Sequence, residues 1–183
     1  MNSRSSLLLR FATGCAVFGV VLLGGCATAS NPTSMAATPV AAVTKHAESF
    51  NVNVTGGSET SSMGASKIAN ADFAEAVKTS IIKSGLFAST AGAAQADYLL
   101  DAHIVQLDQP MFGFSFTVKL EVDWRLVHRA DQKVVWEKAV MSSFTATTSD
   151  AFAGVTRLRL ANEGAARNNI QDAIGQMGAL TLP

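Results

Sequence analysis

Cysteine, histidine and charge are all scarce in this chain. Its 183 residues hold two cysteines, three histidines and 15% charged residues. Both cysteines, Cys15 and Cys26, fall at the front, so the rest of the chain has no thiol for a disulfide framework or a Cys-containing zinc site. The histidines, His46, His103 and His128, never stand four apart as helical metal ligands do, and the sequence implies no metal or cofactor. There is no Gly-x-Ser-x-Gly elbow, no phosphate-cradling Gly-Lys-Ser/Thr loop and no dinucleotide glycine-rich turn. Ser58 to Ser66 and Ser89 to Gln95 offer hydroxyls without a histidine and acid in a recognisable arrangement. With 14 basic and 14 acidic residues there is no positive field to attract nucleic acid.

What the chain does have is a distinctive front. Arg4 and Arg10 precede an apolar or small run from Phe11 to Leu23, the size of a signal-peptide core and shorter than the ~20 residues of a membrane span. The run closes on Leu23-Gly24-Gly25-Cys26, which resembles the lipobox of bacterial lipoprotein precursors. The resemblance implies cleavage after Gly25, removal of residues 1–25, and acylation of Cys26 on its sulfur and amine. Cys15 also follows a glycine, but cutting there would leave a short core of Leu7 to Leu9 and an exposed greasy N-terminus. Several acyl chains on one cysteine hold a protein firmly on a membrane, at ~0.8 kcal/mol per buried CH₂. Ala27 stands where aspartate retains lipoproteins of enteric bacteria in the inner membrane, so that sorting rule implies the outer membrane, with the domain in the periplasm.

Cleavage removes two arginines and no acids, leaving 14 − 2 = 12 basic residues against 14 acidic ones. Residues 26–44 are mostly Ala, Thr, Ser and Asn with Pro32 and Pro39, and read as a flexible tether from Cys26. Residues 45–183 suffice for a single domain with a real core. Within it, Ser115 to Arg129 sets Phe116, Val118, Leu120, Val122, Trp124 and Leu126 on one parity against Thr117, Lys119, Glu121, Asp123 and Arg125, predicting a strand with one buried face. Val134 to Thr147 follows a polar turn as its hairpin partner; Asp97 to Leu107 and Phe50 to Val54 complete four strands. One helix is expected from Asn70 to Gly85, and a second from Ser149 or Asp150 to Met177 with a small-residue stripe suited to close packing. Glu163 lies four residues from both Arg159 and Arg167, which predicts a solvated ion-pair ladder. The expected fold is a two-layer α+β sandwich in the order β-α-β-β-β-α, with both helices on one face of a mostly antiparallel, four-stranded sheet.

Ser84-Gly85-Leu86-Phe87, Ala96-Asp97-Tyr98-Leu99-Leu100, Val135-Trp136 and the helix from Arg157 to Ile170 resemble small proteobacterial envelope lipoproteins. Their layout is similar to that of the lipopolysaccharide-assembly lipoprotein and ABC-transport auxiliary lipoproteins. The resemblance implies a non-catalytic accessory that binds an envelope protein, a transport or assembly complex, or a lipid.

Pro110 to Phe116 joins two strands yet carries Met111, Phe112 and Phe114 beside Gly113. Either these side chains form a partner-binding or membrane-touching tip, or they fold back to cap the core. Asp101 and His103 share a strand face and could serve a hydrolase or transferase, and Glu121 and Asp123 could look like an acid/base pair; both pairs read first as solvated residues that mark the wet side of a strand. Asn162, Asn168 and Asn169 are poor helix formers whose amides need partners on the sheet or on another protein. The readings to separate are an envelope-binding accessory, a structural module that self-associates, and an enzyme built on Asp101 and His103.

Overall fold

The computed structural model describes residues 27–38 and 44–183, so the predicted leader, Gly25, Cys26 and part of the tether lie outside the described residues. The chain folds as α1 (Pro32–Met35), β1 (His46–Thr55), α2 (Asn70–Ser84), β2 (Phe87–Thr90), β3 (Tyr98–Asp108), β4 (Phe116–His128), β5 (Lys133–Ala146) and α3 (Gly154–Met177). This is an α+β fold with five strands in the order β2-β1-β3-β4-β5. The sheet is mixed: β1 runs parallel to both β2 and β3, whereas β3, β4 and β5 form an antiparallel meander. The expected four-stranded, mostly antiparallel sheet is corrected by β2, a four-residue strand with a single buried side chain, Phe87. Gly85 precedes it in the left-handed conformation (φ 71°), ending α2 and redirecting the chain to the sheet edge.

Parallel neighbours normally need a long crossover. Here β2 ends opposite Phe50 and β3 begins opposite the same residue, so residues 91–97 suffice to step across β1. The step is tied down by the Asn51 amide donating to the Ala91 carbonyl (2.8 Å) and the Ser49 N–H and hydroxyl donating to Asp97 (2.8 and 2.7 Å).

The alternation in β4 places its expected apolar parity in the core, with Val118, Leu120, Val122, Trp124 and Leu126 almost fully buried. At roughly 1.5–3 kcal/mol per large apolar side chain, this strand is a principal source of stability. In α3 the small residues do what their spacing predicts: Ala161, Ala165, Ala166 and Ala173 are wholly buried, and a Cβ on Gly164 would come within 2.2 Å of the Phe144 ring of β5. Asn169 accepts a hydrogen bond from the Trp124 indole (2.9 Å) and donates to the Val140 carbonyl (2.8 Å), pinning helix to sheet. Asn162 and Asn168 donate to the carbonyls of Ser66 and Ser143 (both 2.9 Å), so all three amides find partners within the chain. Asp150, a candidate opener of α3, instead closes a turn on Thr147, and the helix starts at Gly154 without a side-chain cap.

Residues 27–38, expected as part of a flexible tether, pack on the domain. Asn31 caps the short α1 through Thr33, with Pro32 opening the helix, and α1 lies across α2 and α3. Met35, Ala36 and Ala37 are buried, and the Ala37 N–H donates to the Ser80 hydroxyl (2.8 Å). This segment also corrects the expected ion-pair ladder. Glu163 is only 1% exposed and accepts from Arg159 (2.8 Å) and the Asn31 N–H (2.9 Å). Arg167 turns to the Ser34 carbonyl instead (3.0 Å from Nε).

Candidate functional site

Strand directions bring three loops to one end of the sheet. The ends of β1, β3 and β5 and the starts of β4, α2 and α3 all meet there, which gathers residues 56–69, 109–115 and 147–153. The five most exposed large apolar side chains among the described residues stand on these loops: Met63 at 100%, Phe152 at 95%, Met111 at 92%, Phe114 at 87% and Phe112 at 86%. Met111, Phe112 and Phe114 point outward and do not fold back to cap the core. Only Phe116 turns into the core.

A polar floor fixes these loops. Arg157, on the first turn of α3, is buried; its guanidinium donates to the carbonyls of Ala151 and Phe152 and to Gly113 (3.2 Å from Nη2), and lies 5.3 Å from the centre of the Phe116 ring. One side chain thereby joins the loop carrying Phe112 and Phe114 to the loop carrying Phe152. Gln109 donates to the Ser66 carbonyl (2.7 Å) and to Asn162 (2.8 Å), and accepts from Lys67 (2.7 Å), so the third loop is tied to the same floor. Asp150 accepts from the Thr147 N–H (2.7 Å) and hydroxyl (2.9 Å). Those hydrogen bonds, the backbone one first, hold its carboxyl below the usual aspartate value. Gly113, at φ 146°, lets the chain turn between the two exposed phenylalanines. Residues 109–115 contain no charged side chain.

Phe152 and Met63 escaped the sequence reading. The signal was there, a large apolar residue isolated in a polar loop, but without the fold nothing linked either to residues 111–114.

The alternative enzymatic pair lies elsewhere. Asp101 and His103 occupy the face of the sheet opposite the helices, where Asp101 accepts from Asn53 (3.2 Å) and His103 Nδ1 bonds the Thr55 hydroxyl (2.9 Å). With Asp123, Arg125 and Glu137 they line an open, polar groove, and His103 is exposed. Glu121 and Asp123 point to the same wet side of β4. Among the described residues, no group of three or more His, Cys, Asp or Glu could hold a metal ion, and no helix is long and apolar enough to cross a membrane.

No family model and no curated protein matches the chain in sequence. Its fold is similar to that of a Xanthomonas campestris protein of the DUF330 family (TM-score 0.63, 17% identity, covering 82% of this chain and 95% of that one). It is also similar to a hypothetical protein from Chlamydia trachomatis (TM-score 0.51, 12% identity, 75% of this chain and 100% of that one). A minor lipoprotein from Acinetobacter baumannii aligns less well (TM-score 0.47, 11% identity, 74% and 94%). What the first two proteins share with the chain is the fold.

Proposed function

We propose that this protein is a lipid-anchored, non-catalytic module of the bacterial envelope, held in the outer membrane through acylated Cys26 and assisting assembly or transport of an envelope component. The lipobox-like Leu23 to Cys26, followed by Ala27, supports the anchor and its destination. The observation that carries a role in contact with the membrane or its components is the exposed apolar tip, because large apolar side chains held outward on a fixed floor mark surfaces that meet protein or lipid. Cys26→Ala tests the anchor: the protein should leave the membrane fraction and lose function while the domain still folds. Crosslinking of the acylated protein in cells should recover an integral envelope component, and recovery of none above background would count against an accessory role.

Self-association is the second reading. It is favoured by β5, a 14-residue strand whose outer edge has no strand neighbour among the described residues. Lys133, Glu137 and Lys138 place charge along that strand, as protected edges do. A mature chain that stays monomeric by light scattering at high concentration would remove it.

A further inference from the structure

We infer that the apolar tip docks on the phospholipid bilayer itself, so that the domain sits directly on the membrane with its three loops seated in the interface. The inference rests on the anchor at Cys26 and adds the orientation of the domain. Its first support is where the chain emerges. The Ala27 N–H donates to the Ser62 carbonyl (3.3 Å), and the Ser30 N–H donates to the Lys67 carbonyl (3.3 Å). Cys26 is therefore one residue, about 3.8 Å of chain, from a position fixed on the loop that carries Met63. An acyl anchor on Cys26 would therefore join the described domain, at Ala27, on the same end as Met63, Met111, Phe112, Phe114 and Phe152.

The chemistry of the loops fits an interface between lipid and water. Phe and Met side chains gain by reaching the acyl boundary, while Ser, Thr and Gly around them remain compatible with headgroups and water. Charge is sparse there: Glu59, Lys67 and Asp150 are the ionisable residues of the three loops, and Lys67 is bound to Gln109. The Arg157 guanidinium stays beneath, its two terminal nitrogens donating to three loop carbonyls, which keeps the aromatic residues in place without adding exposed charge. The opposite end of the sheet has the reverse character, with Arg129, Asp131, Gln132 and Lys133 around the β4–β5 turn, suited to water.

The test uses the full acylated protein on phosphatidylcholine vesicles, with and without bromine on the acyl chains, in Phe112→Trp and Gln132→Trp variants. Trp124 and Trp136 are buried, and the unsubstituted protein supplies their background. Side chains seated about 5–10 Å into the headgroup and acyl boundary should lose about half of their emission to bromine, so Phe112→Trp should be quenched and Gln132→Trp should not. Mass measurement of the Cys26 peptide reports the anchor separately. Acylated protein that floats with vesicles but shows no selective quenching at position 112 overturns the docking and leaves the anchor standing, as does crosslinking of the tip to a protein in its place. An unmodified Cys26 overturns both.

Discussion

The two ends of the sheet treat the same kinds of side chain in opposite ways. At the end where β1 begins, Phe50, Phe87 and Tyr98 are shut away from water, with ring centres 5.3 Å apart between the phenylalanines and 5.5 Å between Phe87 and Tyr98. At the other end Phe112, Phe114 and Phe152 face solvent while the terminal nitrogens of Arg157 and the amides of Gln109 and Asn162 are bonded beneath them; the buried Arg157 Nε has no partner among the described residues. Scattered exposed apolar residues need no explanation, but a cluster on a bonded polar floor does. The aromatic residues of the first end hold the fold together; those of the second are held out by it.

The largest expected effect comes from erasing the closed end. Phe87→Ala should cost about 3–5 kcal/mol, the range for emptying a packed aromatic site, seen as a lower urea midpoint. A loss below about 1 kcal/mol would show that β2 and its ring contacts are peripheral. Next in size is Met35→Ala, which should cost about 2–5 kcal/mol if α1 is a layer of the domain. A flexible tether would tolerate it without change in the midpoint, and would also unfix Ala27 from the tip. At the open end, Phe112→Ser with Phe114→Ser should leave stability within about 0.5 kcal/mol, as exposed positions do, yet abolish the contact made by the tip. Destabilisation of several kcal/mol by the double variant would make these residues core after all, and the contrast between the ends would vanish.

Much of this contrast was legible in the sequence, and what was not has physical reasons. Alternation from Phe116 to Leu126 in β4 needs no tertiary help, since one face is buried and the other wet; it breaks only at Val127, where the register with β5 shifts. β2 carries one buried residue in four, too little pattern to separate from a loop. Residues 27–38 look like linker because Met35 is their one large core residue; the overlooked signal was local, an Asn31 cap followed by Pro32. Glu163 shows the limit of spacing rules. An acid four residues from two arginines fits an exposed ladder, and only α1, folded back over α3, turns its face inward. For the candidate site, composition singled out residues 111–114, but whether they cap the core or leave it depended on Arg157 bonding Gly113, a contact 44 residues apart.

The smallest effect tests the floor of the open end through pH. Asp150 holds the turn that leads to Phe152 by accepting from the Thr147 N–H and hydroxyl, and these bonds lower its pKa below the ordinary 3.8. A carboxyl whose folded pKa is depressed contributes stability that is fully present above its unfolded value and is lost as pH falls through the folded one. The turn should therefore be intact at neutral pH and loosen only below about pH 4. Asp150 is fully exposed, so the consequence should be local: the Thr147 amide resonance should shift in acid together with the Asp150 carboxyl, while the rings of Phe50, Phe87 and Tyr98 stay unchanged. Asp150→Asn should remove the shift without unfolding the domain. A carboxyl titrating at the ordinary value would mean that this turn is not held as described, and that Arg157 alone fixes the loop bearing Phe152.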